Sequence, residues 1–242
     1  VQGVVGLDQA LHVVLSADGA HLYVAGANDA AVAVFSRDAA TGQLSHVESE
    51  REGVDDASDA GGVVSGLIDV EFLVLSPDGE HLYALSGASG SVALFDRDSA
   101  SGRLSFRAVR GAAQFGVSTD GASGAAFDPE GRQLYLAATG ANRLLVLNRE
   151  INPASGNFGQ LSLGSSLQQG VAEVQGLQGP RRVALSSDGV HVYVTAQAGG
   201  SVAWFVRDDV TGTLRFLGLR ASGSGGVQGL DGATGLVVDS LR

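Results

Sequence analysis

Carboxylates at a repeated register are the first residues in the chain able to do chemistry. Asp8, Asp120 and Asp231 each stand eight residues before the close of a short apolar run. Ile68, beside Asp69, and Gln178 hold the same place in two further runs. A ring of carboxylates offers hard oxygen ligands to a cation such as Ca²⁺, with Asp8, Asp120 and Asp231 as the ligand set. The same side chains also suit turn capping, in which an Asx carboxylate bonds to its own backbone two residues on, and this second role is favoured. Three histidines, His21, His81 and His191, recur with one in each of three repeats. That spacing keeps them apart, so they read as scaffold. The most acidic stretch carries Glu48, Glu50, Arg51, Glu52, Asp55, Asp56 and Asp59. It lacks the Asp-x-Asp-x-Asp-Gly order of a calcium loop and reads as a solvated acidic loop.

Composition narrows the field. None of the 242 residues is Cys or Met, which excludes disulfides, zinc-thiolate sites and cysteine nucleophiles. The net charge of −11 disfavours binding to a phosphate backbone, which relies on basic clusters. No apolar run reaches the roughly 18 residues of a membrane helix. A nucleophile elbow, a His-Glu-x-x-His motif and a Walker loop are all missing. With no Met even at position 1, the reading expects a leader or a longer N-terminal region to have been removed. The acidic balance and the lack of Cys fit an extracellular or periplasmic location.

The elements that must position these residues repeat four times. Val13–Val24, Leu73–Ala84, Ala126–Leu136 and Val183–Val194 share an apolar run, an acidic residue and Gly, then a run with Tyr near its middle (Tyr23, Tyr83, Tyr135, Tyr193). Each continues into a third apolar run ending in Arg37-Asp38, Arg97-Asp98, Arg149-Glu150 or Arg207-Asp208. A turn at Gly42, Gly102, Gly156 or Gly212 and a last run follow. Asp-Gly between two strand-like runs marks a hairpin. Four antiparallel strands, A to D, in one repeat make a propeller blade. The fold class is therefore all-β, a β-propeller of four-stranded antiparallel blades, either a four-bladed ring or a segment of a larger propeller. One domain, 1–242, is expected, with repeats at about 8–67, 68–119, 120–177 and 178–230, and 231–242 starting a further strand A. Strand A should be innermost and most buried and strand D outermost. The Arg-Asp pairs should be exposed turn-stabilising groups.

The Ser-Pro-Asp-Gly-x-His-Leu-Tyr and Val-Ala-x-Phe-x-Arg-Asp-x-x-x-Gly-x-Leu patterns resemble the YVTN / lactonase-like β-propeller proteins, which include the 6-phosphogluconolactonase-type propellers. The resemblance runs through essentially the whole chain. It implies a site on the face shared by the D–A and B–C loops. Gly179-Pro180-Arg181-Arg182 is similar to the Gly-Pro-Arg-His segment of those lactonases, whose Arg and His, with a Glu after a following strand B, form the proposed site. Here Arg181 matches, Arg182 stands in the His place and Gln197 in the Glu place. The groups best suited to acid–base work are thus replaced.

These residues point to a non-catalytic binding or structural module of an exported or cell-surface protein. Its ligand, protein or carbohydrate, would meet Asp8, Asp120, Gln178, Gln197 and Asp231 on the loop face. No cofactor is expected beyond Ca²⁺, and no nucleic acid or membrane partner. A further chain completing the propeller is also expected. The alternative is a sugar-lactone hydrolase of the lactonase type using Arg181 and Arg182.

Overall fold

The computed structural model describes residues 3–55 and 62–238. Two compact units divide the chain, Val1–Gly111 and Ala112–Arg242. Unit 1 holds two sheets. The first is β1 (Ala10–Leu15), β2 (His21–Gly26), β3 (Ala31–Arg37) and β4 (Leu44–Arg51). The second is β5 (Val70–Leu75), β6 (His81–Ser86), β7 (Ser91–Arg97) and β8 (Leu104–Arg110). Unit 2 opens on a one-turn helix, α1 (Ala112–Phe115). Its sheets are β9 (Ala122–Phe127), β10 (Gln133–Ala138), β11 (Arg143–Arg149) and β12 (Leu161–Gln168), then β13 (Pro180–Leu185), β14 (His191–Ala196), β15 (Ser201–Arg207) and β16 (Leu214–Ala221). Each sheet is antiparallel and ordered as in sequence, the blade pattern A-B-C-D. No helix among the described residues is long and apolar enough to cross a membrane.

The turns form because short polar side chains replace missing backbone partners. Between A and B, the Ser16 hydroxyl donates to Asp18 Oδ1 at 2.6 Å and accepts from the His21 amide at 2.9 Å. Ser76 and Ser186 do the same in their blades. Gly19 then turns the chain at φ 70°, a left-handed conformation that glycine adopts without a Cβ penalty. Between C and D, Asp38, Asp98 and Asp208 each accept bonds from the amide and hydroxyl of the residue three positions on. Those bonds hold the three carboxyls below their usual range.

Burial corrects the expectation that strand A is the most buried. B and C are the covered strands, and every residue of β6 and β10 is buried. β1 is half open, with Val13 at 53% and Leu15 at 45% exposure. Strand A is a sheet edge, so only one neighbouring strand shields its backbone and flanks. The apolar contacts between blades run instead from strands B and C of one blade onto the whole sheet face of the next. Tyr23, Ala25, Val32 and Val34 of the first blade pack on Leu73, Leu82, Ala84, Phe95 and Leu104 of the second. Unit 2 repeats this with Tyr135, Ala137, Leu144 and Val146 against Val183, Val192, Val194 and Phe205.

The Arg-Asp pairs are likewise not exposed ion pairs. Arg97 and Arg207 are buried, while the aspartates that follow them cap turns. Arg97 Nε donates to the Tyr23 hydroxyl at 2.6 Å, and that hydroxyl donates to the Gly102 carbonyl at 2.9 Å. Arg207, Tyr135 and Gly212 repeat the arrangement at 2.9 and 2.9 Å. Each staple joins strand B of one blade to strand C and the C–D turn of the next.

His21 completes the unit 1 staple, with its Nδ1 3.2 Å from Arg97 Nη2. A guanidinium only donates, so the ring must present a lone pair and stay neutral. Burial, then the Arg97 charge, holds His21 below its ordinary value, against smaller opposing effects of Asp18 and Asp98. The unfolded chain binds the proton first as pH falls. Stability should therefore decline below the unfolded pKa of about 6.5 and level off below the folded value. Gln133 holds the same place beside Arg207 at 3.1 Å. Urea midpoints between neutral and mildly acidic pH should fall for the wild type and flatten for His21→Gln. An unchanged slope in the variant would refute the assignment to His21.

Candidate functional site

A β-bulge interrupts every A–B pairing at one place. Pro180 pairs with Ala196 and Arg182 with Thr195, which leaves Arg181 as the extra residue. Leu11, Glu71 and Ser123 are the extra residues of β1, β5 and β9. A bulge bends its strand and re-aims the unpaired side chain. Within an otherwise repeated scaffold this position carries four different side chains, and the register of Asp8, Ile68, Asp120 and Gln178 lies three residues before it. Glu71 and Ser123 were invisible to motif matching. Their signal is a change of residue type at a fixed place in the repeat.

In unit 2 the bulges meet the loops that precede strand A and follow strand B. Thr139, after β10, donates its hydroxyl to the Pro180 carbonyl at 2.6 Å, and Ser123 Oγ lies 2.6 Å from Thr139 Oγ1. Asn142 Oδ1 accepts from the Gly179 amide at 2.7 Å. Gly124 lets β9 and β13 approach closely, because a Cβ there would run into the Arg181 carbonyl. Arg181 is half-buried at this junction. Arg182 turns back, its Nη1 donating to the carbonyls of Ser123 and Arg181.

The other expected residues fall around the same loops. Asp120 is exposed, its carboxylate against Gly140. The Gln178 carbonyl accepts from the Gly199 amide at 2.9 Å, and the Gln197 amide donates to Gly179 at 2.8 Å. Both of these glutamine side chains are exposed. Asp231 sets its carboxylate against Gly200. Asp8 belongs to unit 1, where its Oδ1 accepts from Asn28 Nδ2 at 3.4 Å. The capping aspartate of that loop is Asp29, which accepts from the Gly6 and Asp8 amides at 2.8 and 3.1 Å. Those backbone bonds lower its pKa. Among the described residues no three His, Cys, Asp or Glu side chains gather to hold a metal. In unit 1, Glu71 packs against Gly87 with Asp69 nearby.

The acidic stretch is not a free loop over its described part. Glu48–Arg51 is the end of β4, and Glu50 is buried. Glu48 accepts from the Leu104 amide at 2.7 Å and pairs with Arg103, and Glu52 accepts from the Leu67 amide at 2.7 Å. Asp56 and Asp59 lie outside the described residues.

The family profile described as Lactonase, 7-bladed beta-propeller matches residues 72–228. The chain belongs to this family. Asp120, Gln178, Arg181, Arg182 and Gln197 fall inside the matched residues, and Asp8 and Asp231 outside them. No curated protein matches the sequence. Solved structures with this fold include a proposed 6-phosphogluconolactonase of Bacteroides fragilis, at 19% identity and a TM-score of 0.68. That likeness covers 92% of this chain and 60% of the other. A counterpart from Bacteroides uniformis is 18% identical with a TM-score of 0.64, covering 86% and 53%. The periplasmic gluconolactonase of Pseudomonas aeruginosa is 22% identical with a TM-score of 0.61, covering 89% and 55%. The chain spans 53–60% of the length of these three relatives.

Proposed function

We propose that this chain is a lactonase-type hydrolase of sugar lactones, acting on the loop face of unit 2. The observation that carries the reading is Arg181, a half-buried cation on a bulge inside the family match. In this role Arg181 donates to the lactone carbonyl oxygen and stabilises the oxyanion that forms when water attacks. Asp120, exposed on the adjoining loop, takes the proton of that water. The ring C–O bond then breaks, the ring oxygen gains the proton from Asp120, and an open hydroxy acid leaves. A periplasmic or extracellular setting goes with this reading. It is supported by the Pseudomonas relative's periplasmic location and by the lack of Cys.

Recognition without turnover is the second reading, and two residues favour it. Arg182 stands where the family places His, and its guanidinium is bonded to backbone carbonyls. Gln197 stands where the family places Glu and has no proton to exchange at neutral pH. A continuous assay with a plain and a phosphorylated sugar lactone separates the two. Hydrolysis above the buffer rate should drop about 10²–10³-fold in Arg181→Ala and about 10²-fold or more in Asp120→Asn. Saturable lactone binding with no turnover establishes the second reading, and neither binding nor turnover refutes both.

A further inference from the structure

We propose that unit 2 holds a binding site for a small organic carboxylate, in a cavity between the outer strands of its two blades. The inference does not rest on the lactone chemistry. It rests on a carboxylate that unit 1 carries at this place in the repeat and unit 2 lacks.

In unit 1, Glu48 stands on β4 opposite Val34 and bridges to the next blade. Its carboxylate accepts from the Leu104 amide at 2.7 Å and pairs with Arg103. The Glu48 side chain is only 10% exposed, and Leu104 and Phe106 of β8 are buried. The Leu104 amide is available because the ladder does not use it. The Asp98 amide bonds to the Arg103 carbonyl at 2.9 Å, and in an antiparallel pair the next residue turns its N–H outward.

Unit 2 repeats this frame and drops the carboxylate. Ser165 stands opposite Val146 as Glu48 stands opposite Val34. Leu214 stands opposite Arg207 as Leu104 stands opposite Arg97, after the same bond from Asp208 to Thr213 at 2.9 Å. The Leu214 amide therefore points outward too, and no side chain among the described residues accepts from it. Ser165 is too short to do so. Its Oγ is buried and has no hydrogen-bond partner among the described residues, a state that costs free energy unless something fills it. The second acidic bridge of unit 1 survives in neutral form. Gln169 accepts from the Leu177 amide at 2.7 Å, as Glu52 does from the Leu67 amide at 2.7 Å. Of the two bridges, only that of Glu48 is lost.

A cavity of about 430 Å³ lies at this place, inside the roughly 300–1,000 Å³ range of small-molecule sites. Leu167, Val174, Leu214 and Phe216 give it apolar walls. Leu214 and Phe216 belong to the core between the third and fourth blades, but they are half-buried where Leu104 and Phe106 are buried. Arg215 lines the cavity, in the place of Ser105 in unit 1. Glu173 also lines it and is exposed, so water screens its repulsion of an anion. Two donors without an acceptor beside an apolar wall suit a monocarboxylate with an aliphatic body. Its carboxylate takes charge-assisted bonds from the Leu214 amide and the Ser165 hydroxyl, and its body covers Leu167, Val174 and Phe216.

An amide-detected NMR titration with hexanoate, and with hexanol as its neutral match, tests the site. Hexanoate should bind saturably with a Kd of about 1 mM or below and move the Leu214 and Ser165 amide signals. Hexanol should bind about tenfold more weakly or worse, as expected for loss of a charge-assisted hydrogen bond. Ser165→Glu supplies the carboxylate from within the chain. In that variant the Leu214 amide should shift without any ligand, and hexanoate should no longer bind. Ser165→Ala leaves the cavity open and should weaken hexanoate about threefold or more. An unmoved Leu214 signal overturns the proposal. So does hexanol binding as tightly as hexanoate, or hexanoate binding that survives Ser165→Glu. If Ser165→Glu does not fold, hexanoate binding left unweakened by Ser165→Ala overturns it.

Discussion

Replacing Arg207 with Met should remove about 3–5 kcal/mol of folding stability, because it leaves a buried carboxylate without its counter-charge. Asp128 is fully buried and Arg207 nearly so, with Nη2 2.7 Å from Asp128 Oδ2. The same guanidinium serves Tyr135, the Gly189 carbonyl and Gln133. Burial raises the Asp128 pKa despite the Gln133 amide and Arg207. A carboxyl raised in the fold favours folding below its unfolded value and loses that contribution as pH climbs through its folded value. Without Arg207 it should move higher and take up a proton. The deficit of Arg207→Met should therefore be largest near neutral pH and narrow as the solution is acidified. Asp128→Asn in the Arg207→Met background should recover part of the loss at neutral pH. Urea unfolding at neutral and at acidic pH reads the wild type and both variants. A deficit below 1 kcal/mol would mean the cluster does not hold the blades together.

The blade pattern was legible because its turns are encoded by residues with one physical purpose. Gly19 and Gly79 supply left-handed backbone, and Asp38, Asp98 and Asp208 supply acceptors for orphan amides. The depth of each strand was not legible. The apolar runs of A and C look alike in sequence, but A is an edge and C lies between two strands. Arg97 and Arg207 also read as surface charges. Their partners, Tyr23 and Tyr135, stand 74 and 72 residues away, a separation no local pattern spans. The candidate site was half legible. Family resemblance singled out Arg181, but only strand register puts it on a bulge with Glu71 and Ser123 in the matching places. Bulge positions follow from pairing across strands, and counting along one strand passes over them.

Tyr23→Ala should also cost about 3–5 kcal/mol, as for other buried aromatics cut back to Ala. Its ring is wholly enclosed between two blades, and its hydroxyl is both donor to Gly102 and acceptor from Arg97. Burial also raises its pKa, against the opposing pull of Arg97. The milder Tyr23→Phe keeps the packing and leaves a buried Arg97 N–H without an acceptor, a loss of about 1–3 kcal/mol. Tyr193→Ala is the informative comparison. The residue has the same place in the repeat and the same strand register, opposite Trp204, but it is half-buried and its hydroxyl bonds to nothing among the described residues. It should lose no more than about 1–2 kcal/mol, since partial exposure lets solvent fill the space and leaves no orphaned charge. Denaturant midpoints of the three variants, taken at one low protein concentration, decide the matter. Equal losses at Tyr23 and Tyr193 would show that burial between blades contributes nothing beyond the fold of a single sheet.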